Sequence, residues 1–142
     1  MKGKIWPTVT AMALTAAVTA GACAFFLPSR PILPAGARAQ VARVEELHGT
    51  ESESLIEAVD EEALADCLAL LRCKKYPFSR KVEALPNDCY EVTFTTGGLE
   101  LYTVVLDWDG EGYFYDVSTT SSYALDGQGD ALRQSIDRML GR

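Results

Sequence analysis

Hydrophobic and polar positions divide the chain into three regimes. The first, residues 5–27, is 23 residues without a charge (IWPTVTAMALTAAVTAGACAFFL), preceded by Lys2 and Lys4. At about 1.5 Å per residue this run predicts roughly 34 Å of helix, enough for a hydrocarbon core of about 30 Å. Pro7 falls in its first turn, where a missing N–H is tolerated. The second regime, residues 28–40, holds Pro28, Pro31 and Pro34 and reads as an extended Pro-rich linker. The third, residues 41–142, alternates between the two periods of a folded α+β domain.

Within that domain, Val41, Val44 and Leu47 stand among charges as a weak strand over 41–48, ended by Gly49. Residues 49–52 form a polar turn, and 54–59 (SLIEAV) read as a short strand or a lead into the next helix. Asp60 is a good N-cap, with Glu61 and Glu62 in the first turn complementing the helix dipole. Ala63, Leu64, Cys67, Leu68 and Leu71 recur at three- and four-residue spacing, and Pro77 stops the helix beyond Arg72, Lys74 and Lys75. The period then becomes two. Tyr90, Val92 and Phe94 alternate with polar residues up to Gly97-Gly98, a hairpin signal. Residues 99–108 are apolar on both faces, as in a central strand. After Asp109-Gly110, Tyr113, Tyr115 and Val117 share a face. Residues 89–118 thus predict a three-stranded antiparallel meander, and 123–125 a short edge strand. A last helix carries Leu132, Ile136, Met139 and Leu140. The expected layout is an antiparallel sheet of this meander plus one or two N-terminal strands. Two helices pack on one of its faces, and a transmembrane helix precedes it.

Charge sharpens the division. The 142 residues carry a formal net charge of −7, but all 20 acidic residues lie at or after Glu45. Residues 40–142 hold 9 basic and 20 acidic groups, a net of −11. Nucleic acid is therefore excluded as a partner, since phosphate binding needs a basic surface. Adhesion of the folded part to anionic lipid is disfavoured on the same ground.

Three routes place the domain outside the cytoplasm. Segment 1–27 stays as a signal anchor; or Ala20-Gly21-Ala22-Cys23 is a loose lipobox, with Cys23 cleaved before and acylated; or signal peptidase cuts after Ala37-Arg38-Ala39. Small residues before Cys23 suit the second route, although Ala20 stands where leucine is usual.

Candidate chemistry is sparse, and no catalytic, cofactor or metal site is assigned. His48 is the one histidine, beside Gly49 in a turn, and no nucleophile-elbow, HExxH or Cys-x-x-Cys motif accompanies it. Asp107-Trp108-Asp109-Gly110-Glu111-Gly112 resembles the opening of an EF-hand loop. Its twelfth position is Ser118 instead of a bidentate Glu, so the segment reads as a hairpin turn with solvated carboxylates and calcium as a bare hypothesis. In an oxidising compartment Cys73 and Cys89 are candidates for a disulfide across the 15-residue loop between them. Closing it would contribute about 3 kcal/mol. Cys67 lies on the helix's apolar stripe, as core packing. That same loop gathers the only basic patch, Arg72, Lys74, Lys75, Arg80 and Lys81, interleaved with Tyr76 and Phe78. It is a candidate surface for an acidic protein or a polyanionic envelope polymer, against the plainer role of balancing a helix C-terminus.

The charge-poor start, then SLIEAVDEEALADCLALLRC and the hairpin YEVTFTTGGLELYTVVL, resemble small membrane-anchored or lipoprotein domains of Gram-positive bacteria that have no assigned function. The resemblance is one of pattern over about residues 45–140 and transfers no functional residue. The leading expectation from the residues is a non-catalytic extracytoplasmic domain, tethered to the membrane by its N-terminal helix, that binds a protein or an envelope polymer. The alternative is a secreted inhibitor-like or sensor domain released by signal peptidase.

Overall fold

Alternation in the middle of the chain organises the structure, a computed structural model that describes residues 5–25, 29–74, 86–109 and 111–142. In chain order the elements are α1 (Ile5–Phe25), β1 (Arg30–Pro31), β2 (Ala39–His48), β3 (Glu51–Ser54) and a single 3₁₀ turn (Ile56–Ala58). There follow α2 (Glu61–Leu70), β4 (Arg72–Lys74), β5 (Asp88–Thr96), β6 (Glu100–Asp107), β7 (Gly112–Asp116), β8 (Ser121–Leu125) and α3 (Gly129–Met139). All eight strands join one antiparallel sheet in the order β1-β4-β8-β7-β6-β5-β2-β3.

The expected layout is corrected on three points. Strands β5, β6 and β7 do pair in succession, but they form the centre of an eight-stranded sheet, not a meander with one or two added strands. Second, the basic residues after α2 do not extend that helix. It ends at Leu70, Leu71 turns extended (φ −69°, ψ 143°), and Arg72–Lys74 pair with β8 as strand β4. Third, segment 28–40 is no free linker. From Ser29 onward it is a strap: β1 pairs with β4, the Ile32 N–H donates to the Leu71 carbonyl, Ile32 and Leu33 are buried, and Ala39 opens β2 against Thr96. Proline suits a two-residue edge strand because no ladder donor is needed on its outer side.

The N-terminal expectation is corrected as well. Among the described residues, no helix is long and apolar enough to cross a membrane. Freedom from charge is not the same as apolarity. Over residues 9–23, Val9, Met12, Leu14 and Val18 are the only large apolar side chains, and alanine, threonine, glycine and Cys23 fill the other positions. The Thr15 hydroxyl turns back onto the Ala11 carbonyl at 2.8 Å, the usual way a helix accommodates such a residue.

Register decides which side of the sheet is core. Val44, Val92, Val104 and Phe114 lie directly across from one another on β2, β5, β6 and β7, and all are buried. A bulge between Val41 and Arg43 lets Val41 and Val44, three residues apart, share this face, which is why the alternation in β2 is weak in the sequence. Beside this row runs a ladder of stacked rings, Phe94–Tyr102 (5.5 Å between centroids), Tyr102–Phe114 (5.3 Å) and Phe114–Tyr123 (6.1 Å). Leu64 and Leu68 of α2 and Leu132 and Ile136 of α3 belong to the same cluster, so both helices pack on this face. Helix α2 starts where the Asp60 carboxylate accepts from the Glu62 and Ala63 N–H groups at 3.0 and 3.1 Å. On β7 the leucine side chains close over Gly112, so any larger residue there would have to displace them. A Cβ at Gly112 would meet Leu125 Cδ1 at 2.5 Å.

Two leucines on α2 separate packing from propensity. Leu68 is fully buried and Leu70 is 71% exposed. Leu68→Ala is expected to lower unfolding free energy by about 2–5 kcal/mol, and Leu70→Ala to change it by no more than about 0.5 kcal/mol. Urea denaturation of the two variants measures the contrast.

Candidate functional site

Ionisable groups concentrate where α3 ends against β2 and β5. Glu46 lies on the core face of β2, opposite Tyr90, and its side chain is only 3% exposed. Burying a carboxylate there is unfavourable unless it is paired. Two donors reach its Oε1: Arg142 Nη1 at 2.7 Å and His48 Nε2 at 3.1 Å. Its Oε2 has no partner among the described residues. The Arg142 hydrogen bond, helped by His48, outweighs desolvation and holds the Glu46 carboxyl below its ordinary value. Tyr90 donates to Asp137 Oδ1 at 2.9 Å, and Asp137 in turn holds Arg133 at 3.3 Å. Burial, with Asp137 alongside, pushes the Tyr90 phenol up to about 12.

His48 sits at the rim of this cluster. Its Nδ1 lies 3.4 Å from Asp88, its ring stacks on Trp108 at 6.1 Å, and Trp108 meets Tyr90 edge-on at 4.7 Å. The histidine therefore engages two carboxylates and an indole. Among the described residues no hydroxyl or thiol nucleophile hydrogen-bonds to it. What the arrangement does is pin the C-terminal end of α3 to the sheet. Residues 46, 48, 88, 90, 108, 137 and 142 are scattered through the sequence, so only His48 was visible there as a candidate.

The other sequence candidates fall elsewhere. Cys73 is in the core of β4 and Cys89 is on β5, with β8, β7 and β6 between the two strands. The two cysteines are not bonded to each other, so the expected bridge is not formed; spacing along the chain gave no sign of three intervening strands. Burial, with Glu91, Asp107 and Asp88 nearby, pushes the Cys89 thiol up to about 11. Cys23 is a free, exposed thiol on α1. Of the basic patch, Arg72 and Lys74 are used inside the fold: Arg72 donates to the Ser29 hydroxyl (3.0 Å) and carbonyl, and Lys74 pairs with Asp126 at 3.4 Å. Lys75, Tyr76, Phe78, Arg80 and Lys81 lie outside the described residues. The segment resembling an EF-hand opening is the β6–β7 turn, closed by the Glu111 N–H on Asp107 Oδ1 at 2.8 Å. Among the described residues no group of three or more His, Cys, Asp or Glu is placed to hold a metal ion.

The opposite face of the sheet carries a different feature. Cys89 and Val105 are buried there but stand outside the cluster that α2 and α3 cover. Between β5 and β8 this face forms a cleft of about 340 Å³, lined by Glu91, Thr103, Val105, Tyr113, Tyr115, Val117 and Ser122. Val105 is the floor, at 3% exposure, with Glu91 and Tyr113 directly across from it on the neighbouring strands. The face shared by Tyr113, Tyr115 and Val117 was legible in the sequence; which side of the sheet the helices leave open was not. A larger depression of about 670 Å³ lies between the strap and α2, lined by Arg38, Glu61, Glu62 and Asp66 together with Leu33, Val41 and several alanines.

Two outcomes follow. The folded-state pKa of Glu46 lies below its ordinary 4.5, so its pairing stabilises the fold above that pH and is lost as pH falls. Glu46→Gln and Arg142→Ala should each lower the urea midpoint clearly near neutral pH and progressively less at acid pH, as the Glu46 carboxyl takes up its proton below its ordinary 4.5. Equal deficits at both would detach stability from the pair. In the full, unacylated chain, thiol labelling is expected to modify Cys23 in the native protein and to reach Cys73 and Cys89 only after unfolding, with no mass loss of a disulfide under non-reducing conditions.

Comparison with protein-family models, with curated proteins and with solved structures found no match to this chain.

Proposed function

We propose that residues 29–142 act outside the cytoplasm as a non-catalytic binding module. The reading is carried by the cleft on the face away from α2 and α3, with Tyr113 and Tyr115 among its lining residues. Its volume is at the lower end of the roughly 300–1,000 Å³ of ligand sites. Inward-facing aromatics stack on one another, whereas among the described residues neither Tyr113 nor Tyr115 stacks on a ring or spends its hydroxyl on a hydrogen bond. Half-exposed tyrosines of this kind present an apolar body and a polar tip to a partner. The histidine, by contrast, is committed to carboxylates that hold α3 in place, which supports a non-catalytic role.

Export as a lipoprotein, with Cys23 as the acylated residue, or as a secreted protein suits the N-terminal segment, whose helix is uncharged but rich in small residues. Release after Ala39 does not suit the fold. That cut would remove β1, the buried Ile32 and Leu33, and the Ser29 contacts of Arg72. A secreted form must therefore be cut ahead of Ser29.

Fractionation with labelled palmitate tests the export reading. Label is expected on the wild-type chain and absent from Cys23→Ala, with the protein outside the cytoplasm in either case. Recovery in the cytoplasm, inaccessible to external protease, would sink it. A chain beginning at residue 40 should melt well below one beginning at residue 29, since it lacks two buried leucine-sized side chains worth about 1.5–3 kcal/mol each.

A further inference from the structure

The cleft between β5 and β8 selects a class of ligand by charge and by hydroxyl supply, and this inference rests on the binding-module reading above. Glu91 is the one ionisable carboxylate among the lining residues, and its Oε1 already accepts from Arg43 Nη2 at 2.9 Å. Its charge is thereby answered within the protein, so a cationic ligand would have to compete with Arg43 for it. An anionic ligand meets a domain of net −11 and finds no free cation among the lining residues. Neutral ligands remain.

What the cleft offers a neutral ligand is specific. Tyr113 and Tyr115 are two apart on one strand, so their Cα atoms are about 7 Å apart and their side chains share a face. Val105 and Val117 add apolar surface, and hydroxyls come from Tyr113, Tyr115, Thr103 and Ser122. Each hydroxyl both donates and accepts. Thr103 makes only a long contact of 3.4 Å with Thr93, so it is weakly committed. Aromatic plates beside a fringe of weakly used hydroxyls complement a molecule with C–H faces and a rim of hydroxyl groups. We propose that this cleft binds a neutral saccharide, with a sugar ring laid against Tyr113 and Tyr115 and its hydroxyls bonded to Thr103, Ser122 and the second oxygen of Glu91.

Isothermal titration of the full chain with maltotriose, cellotriose and tri-N-acetylglucosamine tests the assignment, with trilysine as the cationic comparison. At least one trisaccharide is expected to bind saturably. Tyr113→Ala and Tyr115→Ala should weaken it about tenfold or more, the loss of one stacking contact. Tyr115→Phe, which keeps the ring, should lose less than Tyr115→Ala, and unchanged melting curves establish that the variants are folded. The assignment is overturned if no trisaccharide binds, or if the alanine variants bind as tightly as the wild type. Trilysine binding that falls in the same variants, with no saccharide binding, would also overturn it. That last result would leave the cleft a binding site, with the ligand class wrong.

Discussion

The pairing of β5 with β2 on one side and β6 on the other fixes the rest of this molecule. Side chains alternate along a strand, so a slip of one residue would exchange the two faces. In the observed register Val44, Val92 and Val104 meet under α2 and α3, while Glu91, Thr103 and Val105 are committed to the other side. The hydrophobic core and the tyrosine cleft are thus two consequences of one register. Neither is free to change without the other: the bulge at Ala42 that brings both Val41 and Val44 inward also sends Arg43 outward, where it meets Glu91.

The ends of the sheet are secured by polar pairing instead of by area. At one end, Glu46 is buried and therefore needs Arg142, so the residues after α3 are drawn back onto β2. At the other, β1 and β4 contribute two and three residues to the sheet, too few for the ladder alone to hold them. Arg72 bonded to Ser29, the Asp126 N–H on the Arg72 carbonyl at 2.8 Å, and buried Ile32 and Leu33 supply the closure. Basic residues that looked free in the sequence are in this way part of the scaffold.

Legibility in the sequence follows the length of each pattern. The Asp60 cap, the alternation from Tyr90 to Phe94 and the Gly97-Gly98 turn each combine local chemistry with a repeating period, and the structure has elements at those places. Strands of two or three residues carry no period, so β1 passed for linker and β4 for a helix end. Pro28, Pro31 and Pro34 indicate extended backbone correctly, but they say nothing about whether that backbone is solvated or docked. Contacts between distant residues are illegible for a different reason. Glu46 with Arg142 spans 96 positions and His48 with Trp108 spans 60, and nothing in either neighbourhood names the other. The cleft was half legible, because a face shared by two tyrosines is a matter of period, whereas its exposure depends on where α2 and α3 pack.

Integration of the strap also constrains how any lipid anchor would present the domain. From Cys23 to Ser29 is six Cα steps, which reach at most about 20 Å even when fully extended. An acyl group on Cys23 would therefore hold the β1 edge close to the lipid surface, with no spacer of the kind that residues 28–40 first suggest. The strand order runs from β1 through β4 and β8 to β7, so the cleft begins two strands in from that edge. A short tether placed there favours a ligand that lies near the membrane in place. Net charge of the same sign as anionic lipid would then keep the acidic body from settling onto the bilayer and covering the cleft. The acidity of the domain would thus act at a membrane as well: on a tether this short, it would hold the proposed cleft clear of the bilayer.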